Sequence, residues 1–165
     1  MRFTIDQRYS SGPDAIARAY ADPELYAGLP AGPKLAAPEV VSHQIDGDRV
    51  VLQVRYRFHG DLNAAARAVL DPSRLTWIEQ STHDLAARTI RFELRPDHYR
   101  DRFTCSGALR IESGGDGARR SGTGDLKVRA PLMAGSVVEK VLVGDLTAHL
   151  ADEARLVDAF VAARA

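Results

Sequence analysis

Between Arg2 and Tyr9 apolar and polar positions alternate, with Phe3, Ile5 and Tyr9 on one face and Arg2, Thr4, Asp6 and Arg8 on the other. A period of two predicts a strand with one dry face. Ser11-Gly-Pro-Asp14 then turns the chain into a helix over Pro13 to Ala21. A second short helix over Pro23 to Leu29 ends at the Pro- and Gly-bearing segment Pro30-Ala-Gly-Pro33.

Strand patterns dominate the middle of the chain. Val40 to Ile45 and Arg49 to Phe58 flank Asp46-Gly-Asp48, and Asp-Gly between alternating segments signals a hairpin. Val50, Leu52, Val54, Tyr56 and Phe58 share one face of the second strand; Gln53, Arg55 and Arg57 share the other. The Ala-rich stretch Leu62 to Leu70 predicts a short inserted helix, closed by Asp71-Pro72. Leu75 to His83 and Arg88 to Arg95 form a further hairpin around Asp84-Leu-Ala-Ala87, with Ile90, Phe92 and Leu94 inward. Phe103 to Ile111 and Arg119 to Val128 make the last pair, joined by a mobile Ser113-Gly-Gly-Asp-Gly117 turn.

From Pro131 to Ala162 the period becomes 3.6. Pro131 suits a first helical turn, and Ser136 with Glu139 forms a capping box if regular helix begins there. At 100° per residue Val138, Leu142, Leu146, Leu156, Val157 and Phe160 gather on one stripe, while Lys140, Thr147, Arg155 and Asp158 fall away from it. Such a helix lies against something. The predicted architecture is α+β: a curved antiparallel sheet of six to seven strands wrapped around one long C-terminal helix, with two short helices after the first strand. No linker or repeat divides the 165 residues, which predicts one domain over residues 1–165.

Met1-Arg-Phe-Thr-Ile5, the paired helices ending near Leu29, and Val128-Arg-Ala-Pro-Leu-Met-Ala-Gly135 leading into Val138-Glu-Lys140 carry a resemblance across the whole chain. In this order of elements the chain resembles the START-like (SRPBCC, helix-grip) superfamily, which includes lipid-transfer domains, aromatic polyketide cyclases and the major birch-pollen allergen. It looks most like an actinobacterial family of unknown function within that superfamily. The resemblance implies a cavity between sheet and helix that takes an apolar ligand. It carries no catalytic signature to transfer.

Composition narrows the partners. Lys plus Arg and Asp plus Glu are 22 each, so no net positive field draws nucleic acid or anionic lipid. The single cysteine, Cys105, cannot form an internal disulfide, and its parity with Phe103 and Leu109 predicts a small buried apolar residue. The first residues lack a signal-peptide pattern, and no apolar run has the length of a membrane span. A cytoplasmic protein without a membrane anchor is the expectation.

Among the polar groups, His149 lies near the centre of the helical stripe with Glu153 one turn on. A buried imidazole needs a hydrogen-bond partner, and Glu153 is placed to orient it, or to reach solvent if His149 is only a seam residue. Glu79 shares parity with Leu75 and Trp77, although Thr76, Ile78, Gln80 and Thr82 opposite are hardly more polar; if inward, its carboxyl is a candidate acid or base. Tyr56, Trp77, Phe92, Phe103 and Leu142 are candidates for a cavity wall or for simple core filling. His43 alternates with Val41 and Ile45 as a core histidine. His43, His59, His83, His98 and His149 are too dispersed for a metal site. No nucleotide-binding glycine loop or nucleophile elbow is present, so no cofactor is expected. Arg119-Arg120 and the segment from Arg95 to Arg102 read as a solvated sheet face.

Three functions fit these observations: a binder of a lipid, isoprenoid or polyketide-like molecule; a cyclase/aromatase- or hydratase-like enzyme using the same cavity; and an interaction protein with a filled core. The first two require a hollow of ~300 Å³ or more. The third requires none.

Overall fold

The computed structural model describes residues 1–68, 70–129 and 134–165. Strand β1 (Arg2–Tyr9) is followed by helices α1 (Pro13–Tyr20) and α2 (Pro23–Ala27). Six strands then run β2 (Glu39–Asp46), β3 (Arg49–Arg57), β4 (Thr76–Asp84), β5 (Thr89–Pro96), β6 (Phe103–Gly114) and β7 (Gly117–Val128). Helix α3 (Ala64–Arg67) and a 3-10 turn (Pro72–Arg74) separate β3 from β4, and α4 (Ala134–Ala162) closes the chain. All neighbouring strands pair antiparallel in the order β1-β7-β6-β5-β4-β3-β2. This is the helix-grip architecture. No helix among the described residues is long and apolar enough to cross a membrane.

Alternation places the core where the sequence predicts it along most strands. Phe3, Ile5 and Tyr9 of β1 and Val50, Leu52, Val54 and Tyr56 of β3 are buried. A glycine pair makes room for two rings on the sheet. Gly107 of β6 faces Gly124 of β7, and their other cross-strand partners are Phe92 and Phe3. A Cβ on Gly107 would lie 2.5 Å from the Phe92 ring, and one on Gly124 would overlap the Phe3 ring. The missing side chains let both aromatic rings lie across the sheet.

The edge and the turns depart from expectation. A register shift between Val40 and Ser42 interrupts β2, and Val41 and Ile45 are exposed at 45% and 67%. His43 is therefore half-buried on an edge strand and not a core residue. A bulge breaks the period of two on which the core placement depends. The last hairpin is tighter than predicted, because β6 and β7 pair as far as Gly114 and Gly117, and Gly115 takes a φ of 64° that suits glycine. Regular helix in the Ala-rich insert covers only Ala64–Arg67.

Helix α4 lies across the concave face, with Val138 and Val157 fully buried and Leu142, Leu146 and Phe160 packed against the core. Leu156 departs from the predicted stripe and is 40% exposed. In the last turns the buried line follows Glu153, Ala154 and Val157, and a residue adjacent to Val157 is turned about 100° from it. Ser136 lies inside α4, so it is not the N-cap. Glu139 instead accepts the Val128 backbone N–H at 2.8 Å and pairs with the N-terminal ammonium at 3.1 Å. Pro131, expected in the first turn, lies outside the described residues. Asp158 does not fall away into solvent; it accepts the backbone N–H groups of Ser10 and Ser11.

Near the helix end the Phe160 ring is half-buried, and the Arg164 guanidinium lies 3.5 Å from its centroid. Phe160→Ala should cost about 1–3 kcal/mol in chemical denaturation, below the ~3–5 kcal/mol of a fully enclosed phenylalanine. No measurable change would mean that the last turns of α4 contribute nothing to the fold.

Candidate functional site

The sheet and α4 do not close completely on one another. A cavity of about 270 Å³ remains between them, walled by Tyr56 and Phe58 of β3 and its extension, Trp77 and Glu79 of β4, Leu94 of β5, Phe103 of β6 and Leu126 of β7. Leu142, Leu146, His149 and Leu150 of α4 face it from the other side. Lys34 and Asp145, paired at 2.6 Å, join the loop before β2 to α4 and also border the space. Of the residues singled out in the sequence, Tyr56, Trp77, Glu79, Phe103, Leu142 and His149 meet at this cavity. Phe92 does not. Its ring is drawn over Gly107 and faces a smaller chamber beyond Glu79.

Register explains the gathering. Trp77 pairs with Tyr56 across β3 and β4, and the two rings stack at 5.9 Å with 17° between planes. The His149 ring stands edge-on to Tyr56, 6.1 Å between centroids. Glu79 is the next inward residue after Trp77, flanked by Val54 and Leu94 on the neighbouring strands. Its carboxyl makes no hydrogen bond to a described residue, and the surface it exposes looks into the cavity. Desolvation, reinforced by the Glu153 carboxylate and opposed by Arg120, raises its pKa to about 7. His149 Nε2 is buried and without a partner among the described residues. An apolar cavity thus has one weak acid and one unsatisfied imidazole nitrogen in its wall. The wall can supply hydrogen bonds or a proton to whatever lies there.

The predicted His149–Glu153 pairing does not form. Glu153 is buried, neither reaching solvent nor orienting the imidazole; it faces Arg120 at 3.4 Å. The sequence pattern puts Arg120 on a solvated face with Arg119, but only Arg119 is there, paired with Asp6 at 2.6 Å. Adjacent strand residues point to opposite faces, and Arg120 is the inward one, 3% exposed. Its Nε donates to Gln7 Oε1 at 2.8 Å, and its guanidinium lies 3.9 Å from the centroid of the Tyr20 ring. Gln7 also donates to the Leu150 carbonyl and accepts the Tyr9 hydroxyl, which bonds to the Tyr20 hydroxyl at 2.8 Å. Arg120, Gln7, Ser81 and His83 are the polar interior residues that sequence reasoning missed. For Arg120 and Gln7 the signal was strand parity: Gln7 falls in step with Phe3, Ile5 and Tyr9, and Arg120 with Leu126 and Val128.

The comparisons with known proteins fit this frame. Over 100% of this chain and 99% of the other, the structure is similar to the protein TTHA0849 from Thermus thermophilus, with a TM-score of 0.67 and 17% identity. It is similar to the Zhui aromatase/cyclase from Streptomyces sp. R1128 over 99% and 93% of the two chains, with a TM-score of 0.63 and 16% identity. Norcoclaurine synthase from Thalictrum flavum matches over 98% and 86%, with a TM-score of 0.61 and 16% identity. At these identities the likeness is one of fold. No curated protein sequence matches the chain. A family model described as "Protein of unknown function (DUF2505)" matches residues 4–161.

Proposed function

The chain belongs to the DUF2505 family, and from the geometry of its interior we propose that it binds a hydrophobic small molecule, of lipid, isoprenoid or polyketide type, between the sheet and α4. One observation carries the reading. A cavity of about 270 Å³, walled mainly by aromatic and aliphatic side chains, remains where a filled core would have closed. Its size lies just below the ~300 Å³ at which ligand pockets usually begin, enough for a small ligand, and a few polar groups in an apolar wall are the usual pattern. The similarity in fold to an aromatase/cyclase and to norcoclaurine synthase supports a ligand-holding interior.

Trp77 is the only tryptophan in the chain and lies in the cavity wall, so its emission reports occupancy directly. Native mass spectrometry of protein purified from its own host should show a co-purifying mass, and titrating the emptied protein with N-phenylnaphthylamine should change Trp77 emission saturably. Failure of both would leave a filled-core interaction protein. His149→Phe keeps the ring and removes both nitrogens. It should weaken binding of the co-purified compound by up to about tenfold, or 0.5–1.5 kcal/mol, if His149 bonds to it. Unchanged affinity would make His149 a packing residue only.

A second reading, a cyclase- or hydratase-like enzyme, is favoured by Glu79 and His149 lining the same largely apolar cavity, the Glu79 carboxyl and His149 Nε2 each without a hydrogen bond to a described residue. An acid near neutrality and an imidazole are suited to moving a proton to and from a bound molecule. Chemical change of the co-purified compound on incubation, lost in Glu79→Gln, would select this reading over simple binding.

A further inference from the structure

Beyond Glu79 lies a chamber of about 40 Å³ that shares Glu79, Leu94, Leu146, Leu150 and Glu153 with the main cavity. Along β4 the inward residues after Trp77 are Glu79, Ser81 and His83, flanked by Val54, Leu52 and Val50 on β3 and by Leu94, Phe92 and Ile90 on β5. One polar stripe therefore runs along the concave face between two apolar rows. His83 lines the chamber and is 2% exposed; its Nε2 bonds to Ser81 Oγ at 2.8 Å, and its buried Nδ1 has no partner among the described residues. Arg120 is already engaged by Gln7, Glu153 and the face of Tyr20. From this arrangement we propose that the chamber is the polar subsite of the cavity and receives a single terminal hydroxyl of the apolar ligand, beside His83 and beyond Glu79.

The chemistry selects a hydroxyl for two reasons. Whichever of Ser81 and His83 donates in their bond, His83 Nδ1 is left as a donor or as an acceptor, and a hydroxyl, being both, satisfies either case. A carboxylate would meet the carboxyl groups of Glu79 and Glu153, while the nearby positive charge of Arg120 already faces Glu153. The volume is that of one hydroxyl or water, so the rest of the molecule stays in the outer cavity. The inference rests on the binding function proposed above and adds the class of ligand.

Displacement of N-phenylnaphthylamine by octanol, octyl methyl ether and octanoate, followed through Trp77 at about pH 8, tests it. Octanol should bind about tenfold more tightly than the ether, which lacks the donor, and more tightly than octanoate. In His83→Leu the advantage of octanol over the ether should fall below about threefold while the fluorophore still binds, and in Glu79→Gln octanoate should gain relative to octanol. Equal affinities for alcohol and ether in the unmodified protein, as expected if the chamber holds only water, would overturn the subsite whatever the variants do. Tighter binding of octanoate would also overturn it. If the fluorophore itself fails to bind, the outer-cavity reading falls and takes this one with it, a result distinct from binding without discrimination.

Discussion

Arg120→Met is expected to destabilise the fold by about 3–5 kcal/mol, measured by urea denaturation at neutral pH. The methionine approximates the aliphatic stem, so the loss is mainly of the guanidinium. Without it Glu153 is a buried carboxylate with its cationic partner gone, and Gln7 loses the donor that fixes its amide. The Tyr20 ring loses the cation on its face. Stranding one member of a buried pair is costly because the remaining charge keeps its desolvation penalty. The double variant Arg120→Met with Glu153→Met should therefore lose less than Arg120→Met alone. If both lose the same amount, Glu153 contributes nothing through its charge, and the network is held by Gln7 and the tyrosines.

The second large effect lies in the pH dependence of stability, where Glu79 and His83 act in opposite directions. Burial raises the Glu79 carboxyl from 4.5 to about 7, and its contribution to stability is fully present below pH 4.5 and lost as pH rises through 7. Burial, with smaller effects of Arg120 and His43, lowers His83 from 6.5 to about 4, and its contribution is fully present above pH 6.5 and lost as pH falls through 4. Between pH 4.5 and 6.5 the folded state holds one more proton than the unfolded chain at Glu79 and one fewer at His83, so the two slopes of about 1.4 kcal/mol per pH unit cancel. Relative to the unmodified protein, Glu79→Gln should gain about 3 kcal/mol as pH rises from about 4.5 to 7, and its own profile should then follow the histidine, rising from about pH 4 to 6.5. His83→Leu should lose about 3 kcal/mol relative to the unmodified protein as pH rises from about 4 to 6.5, on top of a constant offset for the stranded Ser81 hydroxyl, and its own profile should decline over about pH 4.5 to 7. Denaturation across a pH series, compared at each pH with the unmodified protein, isolates these groups. Parallel profiles in all three proteins would show that neither side chain is held away from water as the geometry indicates.

Both sets of experiments probe the wall of the same interior. The Arg120 network ties β7, β1 and α4 together, and Glu79 and His83 of β4 line the same chamber as Arg120. A ligand that displaces water from Glu79 should strengthen the preference for its neutral form, whereas one that accepts from His83 leaves the imidazole neutral as well.

Much of this molecule is legible in the sequence. Alternation over Arg2–Tyr9 and Arg49–Arg57, Asp-Gly at the first hairpin, and the change to a 3.6 period after β7 are local signals, and each produced an element within a few residues of its observed bounds. The inward placement of Tyr56, Ile90 and Leu94 followed from parity alone, because a strand presents every second residue to the same face. What parity cannot supply is the identity of the residue opposite. Arg120 meets Gln7 across 113 residues of sequence and Glu153 across 33, and only pairing of β7 with β1 and docking of α4 bring the three together. Without that assembly Arg120 beside Arg119 is one more surface charge, and His149 with Glu153 four residues on is a plausible helical pair. Leu156 and Val157 are equally apolar in the sequence; the path of α4 over the sheet buries one and exposes the other. The cavity is decided at the same level. Its volume is the difference between what the sheet's curvature encloses and what the side chains of two facing surfaces fill, and neither surface contains that difference by itself.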